Sequence, residues 1–184
     1  MSKQGYLDDV VLESYSKFGK YVVQQMRTRL TKAGKRSSNE LYNSTRYEID
    51  KKNLSVSVLA NGYADFINQG VRGKKESRKA PFSKYRFGTG NFSGSGNEFK
   101  RRIDAWIARK NLFLRDEDGK FKKGGRKTLS FLIRRSIYNK GIAPTPFIDE
   151  PVERGLIRLE NDLTEHLGEE IVKNIEFNLN GTTK

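Results

Sequence analysis

The chain has no cysteine. That excludes disulfides and thiolate metal sites. Histidine is nearly absent too, since His166 is the only one. A Ser-His-Asp triad or a histidine metal cluster would have to run through it. Its setting between Leu163 and Leu167, beside Glu165, Glu169 and Glu170, makes it an exposed or boundary residue of an acidic helix. No apolar run approaches the roughly 20 residues needed to span a bilayer. The N-terminal stretch MSKQGYLDDVV lacks the apolar core of a signal peptide. A cytosolic product with no membrane partner is expected. Apolar residues are sparse at 35%, while charged residues reach 32%. A length of 184 residues suits one domain, of which much must be surface or partner-facing.

Charge is abundant and unevenly spread. The net charge is +14. Between Gly70 and Lys140 there are 21 Lys/Arg against 6 Asp/Glu, a net of +15. From Asp149 to the end there are 4 basic against 9 acidic residues, a net of −5. The basic middle points to an anionic partner or to an acidic protein surface.

Apolar periodicity predicts a long amphipathic helix over 7–33, through Leu7, Val11, Tyr15, Phe18, Val22, Met26 and Leu30. Asp8 and Asp9 fall in its first turn, and Arg27, Arg29 and Lys32 in its last. LYNSTRYEID and NLSVSVLANG flank a turn at Asp50–Asn53 and predict a hairpin, with Leu54, Val56 and Val58 on one face. NGYADFINQGV predicts a short helix stopped by Gly70. Residues 71–97 form an extended basic loop with Phe82, Tyr85, Phe87 and Phe92 interleaved, expected to be mobile until assembly orders it. Helices are predicted at 98–110, with Phe99, Ile103, Trp106 and Ile107 on one face, and at about 127–139. A small hairpin turns between them at Asp118–Gly119. A last helix opens at Asp149, with Asp149 as its cap. It carries Val152, Leu156, Leu159, Leu163, Leu167, Ile171, Ile175 and Leu179, with Gly168 as a point of interruption.

Several apparent motifs fail. DEDG at 116–119 would put Leu114 and Gly125 at calcium-ligand positions, and neither can ligate through a side chain. GTGNFSGSGN at 88–97 matches neither a P-loop nor a dinucleotide fingerprint. Trp106 reads first as core, second as a stacking platform. Neither a cofactor nor a metal site is expected. The basic runs at 72–79, 100–102 and 120–127 stand out. Solvated surface competes there with an anionic partner. The residues expected to face a partner or DNA are Arg72, Lys74, Lys75, Arg78, Lys79, Phe82, Tyr85, Phe87, Phe92, Lys120, Lys122 and Lys123.

Two stretches carry a resemblance. YADFINQG (63–70) follows a strand, and IDAWIARKNL (103–112) precedes LIRRSIYNKGIAPTPFIDEPV (132–152). In that order, after a long N-terminal helix, they resemble the neck and tail-completion proteins of tailed bacteriophages, which join head to tail. The basic loop is longer than that pattern, and Gln69 stands where it often has an acid. The predicted elements compose an α+β fold, with a small antiparallel β-sheet packed by long N- and C-terminal helices. The resemblance implies a non-catalytic virion protein, made in the host cytoplasm and acting as tail completion, tail terminator or neck ring. Its partners would be identical subunits in a ring, portal, adaptor or tail proteins, and DNA in the channel. Pro144, Pro146 and Phe147 would form a rigid elbow, with Phe147 plugging the core below the last helix. A free nucleic-acid-binding protein is the alternative. A phosphodiester-cleaving enzyme is weaker, because the acids are scattered.

Overall fold

A computed structural model describes residues 3–35, 38–88, 96–121 and 124–181, with backbone alone for 3–7, 96–98 and 170–181. In chain order the elements are α1 (Lys3–Lys32), α2 (Glu40–Ser44), β1 (Arg46–Asp50), β2 (Ser55–Leu59), α3 (Ala64–Gln69), β3 (Val71–Arg72), α4 (Gly96–Arg109), α5 (Gly125–Lys140), β4 (Gly141–Ile142) and α6 (Asp149–Gly181). This is an α+β fold with small antiparallel sheets and long terminal helices. The chain gathers into two compact units. One holds Met1–Lys32, Glu40–Asn61 and Phe147–Lys184, and the other Ala33–Asn39 and Gly62–Pro146.

In the first unit α1 carries the core. Val22, Met26 and Leu30 are at most 1% exposed, with Phe18 and Val23 beside them. The helix begins at Lys3, earlier than the apolar period predicts, so Asp8 and Asp9 lie past its first turn. The β1–β2 hairpin pairs Tyr47 with Val58 and Ile49 with Val56, while Arg46, Glu48 and Asp50 point outward. Its turn is fastened by Asp50. The carboxylate accepts the backbone N–H groups of Lys52 (2.9 Å) and Asn53 (3.2 Å) and the Asn53 amide (2.6 Å). The first half of the predicted hairpin is shorter than expected, because residues 40–44 form α2. Arg27 of α1 holds the junction between α2 and β1. It donates to the buried Thr45 at carbonyl (2.8 Å) and hydroxyl (3.1 Å), and lies over the Tyr42 ring.

Helix α6 runs 33 residues, through Gly168 without a break. That is about 50 Å at 1.5 Å per residue. Ile148 precedes its first residue, Asp149, and accepts from Val152 N–H at 3.0 Å. Helices α1 and α6 pack closely because Gly155 has no side chain. A Cβ there would meet Val22 Cγ2 at 2.6 Å and Phe18 at 2.9 Å. Gly155→Val is expected to lower stability by about 1–3 kcal/mol through overpacking. A denaturation midpoint equal to the parent's would show that the two helices can part freely.

Salt bridges tie the same helices. Arg29 meets Glu150 at 2.7 Å, and Lys17 meets Asp162 at 3.4 Å. The Arg29 hydrogen bond holds the Glu150 carboxyl below its usual 4.5. Asp162 also lies below its usual 3.8, through the neighbouring Ser14 hydroxyl first and then Lys17 and His166. Ser14 Oγ and Asp162 Oδ2 nevertheless fall short of hydrogen-bond geometry. Both carboxylates are favoured in their charged form by folding. Their contribution is complete above the unfolded values of 4.5 and 3.8 and is lost as pH falls below them. A melting temperature that declines on acidification below that range, and declines less steeply in Arg29→Ala, is the expected result. An identical pH profile in the variant would rule out the pair as the cause.

The second unit is built on α4 and α5. Ile107 is 2% exposed. Phe87 is buried at 5% exposure and meets Tyr138 and Phe99, with ring centroids 5.7 and 6.3 Å apart. The small hairpin forms as predicted. Arg115 bridges Phe121, and Asp116 N–H donates to the Lys120 carbonyl at 3.0 Å.

Candidate functional site

Two segments remote in sequence meet in the second unit. Gly70 caps the C-terminus of α3, and Gly141 that of α5. Strands β3 and β4 follow those ends and pair antiparallel, Val71 with Ile142 and Arg72 with Gly141. Thr145 N–H donates to the Ile67 carbonyl at 2.8 Å. Both terminating glycines are extended with positive φ, Gly70 at 72°/−176° and Gly141 at 80°/−174°. Only glycine adopts that region without strain. Gly73 packs on the last turn of α5 so closely that a Cβ would overlap the Asn139 carbonyl. The Pro-Thr-Pro segment is thereby fixed against α3. Pro144 and Pro146 are exposed, and Phe147 is 0% exposed.

The predicted basic loop is in large part folded. Arg72 N–H donates to the Tyr85 carbonyl (2.8 Å), and Phe87 N–H to the Arg72 carbonyl (2.9 Å). Lys74 N–H caps the Tyr138 carbonyl, and Lys75 and Glu76 cap Asn139. These bonds satisfy the free carbonyls at the C-terminus of α5. Residues 71–88 are therefore a pinned loop, correcting the expectation of a mobile tether. Within it the aromatics divide. Phe87 is core and cannot face a partner. Tyr85 is half-buried, edge-on to Phe66 at 4.4 Å, and its hydroxyl donates to Asp65 at 3.3 Å. Phe82 is 100% exposed. Phe92, Lys122 and Lys123 lie outside the described residues.

The cations gather on the surface of this unit. Lys74, Lys75, Arg78 and Lys79 are exposed, and Arg72 is half-buried. Arg86 joins them and donates to the Lys74 carbonyl at 3.0 Å. Lys84 lies over the Tyr85 ring at 5.0 Å, and Lys74 over Tyr138 at 5.8 Å. Lys120 is exposed on the small hairpin. There Phe113 and Phe121 stack edge to face at 5.1 Å, with Arg126 and Arg115 each 4.6 Å over one ring. Sequence reading missed Lys84, Arg86 and Arg115, and held Arg126 only as part of the run at 120–127. Their alternation with aromatics was the available signal.

Exposed apolar side chains are the other feature missed. Phe131 and Leu132 on α5 are 53% and 46% exposed, and Leu156 and Ile157 on α6 are 52% and 56%. Adjacent apolar residues on a helix point about 100° apart, so a narrow core contact cannot cover both. A cavity of about 610 Å³ opens along α1 beside Arg27, Tyr42 and Tyr47. Of the cations lining it, Lys20, Arg27 and Lys32, Arg27 is already committed to Thr45 and Tyr42. Among the described residues no cluster of His, Asp or Glu is placed to hold a metal. No described helix is long and apolar enough to cross a membrane. No protein-family model, curated protein or solved structure matches the chain.

Proposed function

We propose that this chain is a structural subunit of the head–tail joint of a tailed phage, working in a homo-oligomeric ring without catalysis of its own. One observation carries the reading. YADFINQG and the Pro-Thr-Pro segment, the stretches on which the resemblance rests, pack directly on each other. They meet through the β3–β4 pair and the Thr145–Ile67 hydrogen bond. Segments about 75 residues apart in the chain thus form one structural device. The exposed apolar residues on α5 and α6 and the charge split add support, since both call for a protein partner. Portal, adaptor or tail proteins would flank the ring.

Mass spectrometry of purified virions tests this. The protein should be present in fixed stoichiometry, and disabling its gene should leave unjoined heads and tails. Absence from particles would defeat the proposal. The second reading, a nucleic-acid-binding protein, draws on Arg115, Phe121, Phe113 and Arg126. Binding of isolated subunits to duplex DNA, falling steeply with salt, would favour it. The guanidinium groups already cover those rings, and Asp116, Glu117 and Asp118 form the hairpin tip beside them. Weak or absent DNA binding is therefore expected.

A further inference from the structure

We infer that the turn from Ser77 to Ser83 is a hook whose tip, Phe82, docks on the outward face of α6 of a second copy of this chain. This rests on the assembly reading and names the contact.

The hook is built to hold its tip out. Ala80 N–H donates to the Ser77 carbonyl (3.1 Å), and Ser83 N–H to the Ala80 carbonyl (3.2 Å). The buried Ser83 hydroxyl donates to the Gly70 carbonyl at 2.7 Å and accepts from Tyr85 N–H at 3.1 Å. Ala80 and Ser83, 2% and 6% exposed, anchor the turn, while Phe82 between them is 100% exposed. A mobile loop could fold an aromatic ring back onto apolar surface. This pinned turn keeps the ring in water at a hydrophobic cost, which contact with a partner would recover. Lys79 and Lys84 are exposed on either side of Phe82 in the chain, while the neighbouring Arg78 is paired with Glu76 at 3.2 Å.

Helix α6 offers a matching socket. At 3.6 residues per turn, Glu153, Leu156, Ile157, Glu160, Thr164 and Leu167 fall within about 100° of arc. This arc lies opposite Gly155, Asp162 and the other residues that face α1. All six are exposed. These six comprise three apolar side chains, two carboxylates and a threonine, with no Lys or Arg. An aromatic ring flanked by lysines suits the Leu156–Ile157 pair, which has a glutamate one turn before it and another one turn after it. Because hook and socket are different surfaces, the contact is head-to-tail, the kind that generates rings when its rotation closes.

The test uses the full chain in sedimentation and light scattering. Phe82→Ser (hook) and Leu156→Ser with Ile157→Ser (socket) should each weaken self-association at least about 30-fold, the scale of an interface hot spot. Both alter exposed positions, so melting temperatures should hold. Mixing the two variants should give a one-to-one dimer that neither forms alone, because each supplies one intact half. A charge arm repeats the logic. Lys79→Glu with Lys84→Glu, and Glu153→Lys with Glu160→Lys, should each dissociate the assembly, and their mixture should re-associate. Variants that assemble like the parent, or a mixture that stays monomeric, overturn the hook. A parent monomeric at high concentration overturns it too. Loss of duplex-DNA binding in Phe82→Ser, with self-association unchanged, would assign the turn to nucleic acid instead. If the protein is in virions but hook variants assemble normally, only this contact fails. Absence from virions is the separate result that removes the head–tail reading.

Discussion

Gly141→Ala is expected to destabilise the protein by at least about 3 kcal/mol, read as a fall in the denaturation midpoint. Gly141 ends α5 at φ 80° and ψ −174°. An L side chain in that region costs about 1–3 kcal/mol in backbone strain alone. Space is the second cost. A Cβ would overlap the Val71 carbonyl oxygen and sit 2.6 Å from the Gly73 nitrogen and 3.0 Å from the Arg72 carbonyl carbon. These are backbone atoms of β3 and its continuation, which cannot swing aside as the end of a side chain can. Relief requires β3 and β4 to separate. Gly119→Ala is the internal control. Its φ is also positive, at 78°, but nothing lies within 4 Å of the added carbon. It should cost only the left-handed strain, about 1–2 kcal/mol. Equal losses in the two variants would mean that the β3–β4 crossing is not tight.

Phe147→Ala should cost about 3–5 kcal/mol, the usual range for emptying a buried aromatic site. The ring is 0% exposed and stands two residues before α6, whose first turn also buries Pro151. Its loss would leave a cavity where the chain enters α6. Phe82→Ala provides the contrast, since its ring touches solvent alone and its removal should leave the melting temperature unchanged. If Phe147→Ala melts with the parent, the elbow does not anchor the last helix and the core-plug role is wrong.

The elements with strong local signals were legible. The four-residue recurrence of Val22, Met26 and Leu30 marked the buried face of α1. The alternation of Val56 and Val58 with serines marked β2, and Asp50 to Asn53 marked its turn. Phe147 could be read as core because Pro146 fixes its approach and a capped helix follows. Other readings were local and still incomplete. On α6, apolar residues four apart drift about 40° per step around the helix. Leu156 and Leu167 each stand one such step beyond Val152 and Leu163 and end exposed, while the three-residue step to Leu159 turns the row back toward α1. The pairing of β3 with β4 left no pattern in strands of two residues each.

By itself the sequence determined the α+β class, the positions of the long helices, the first hairpin and the separation of charge. Each follows from periods and cap residues that act within a few residues of the chain. Only the tertiary structure decided which aromatic of the basic segment is core and which is offered outward. Phe82 and Phe87 sit five residues apart in the same composition. Phe87 is drawn in by the Arg72 carbonyl and the rings of Tyr138 and Phe99, while the buried Ala80 and Ser83 turn Phe82 out. Burial depends on which distant surface arrives beside a residue. Here the glycines at 70, 73 and 141 decide it, by letting backbones approach closer than any Cβ would permit.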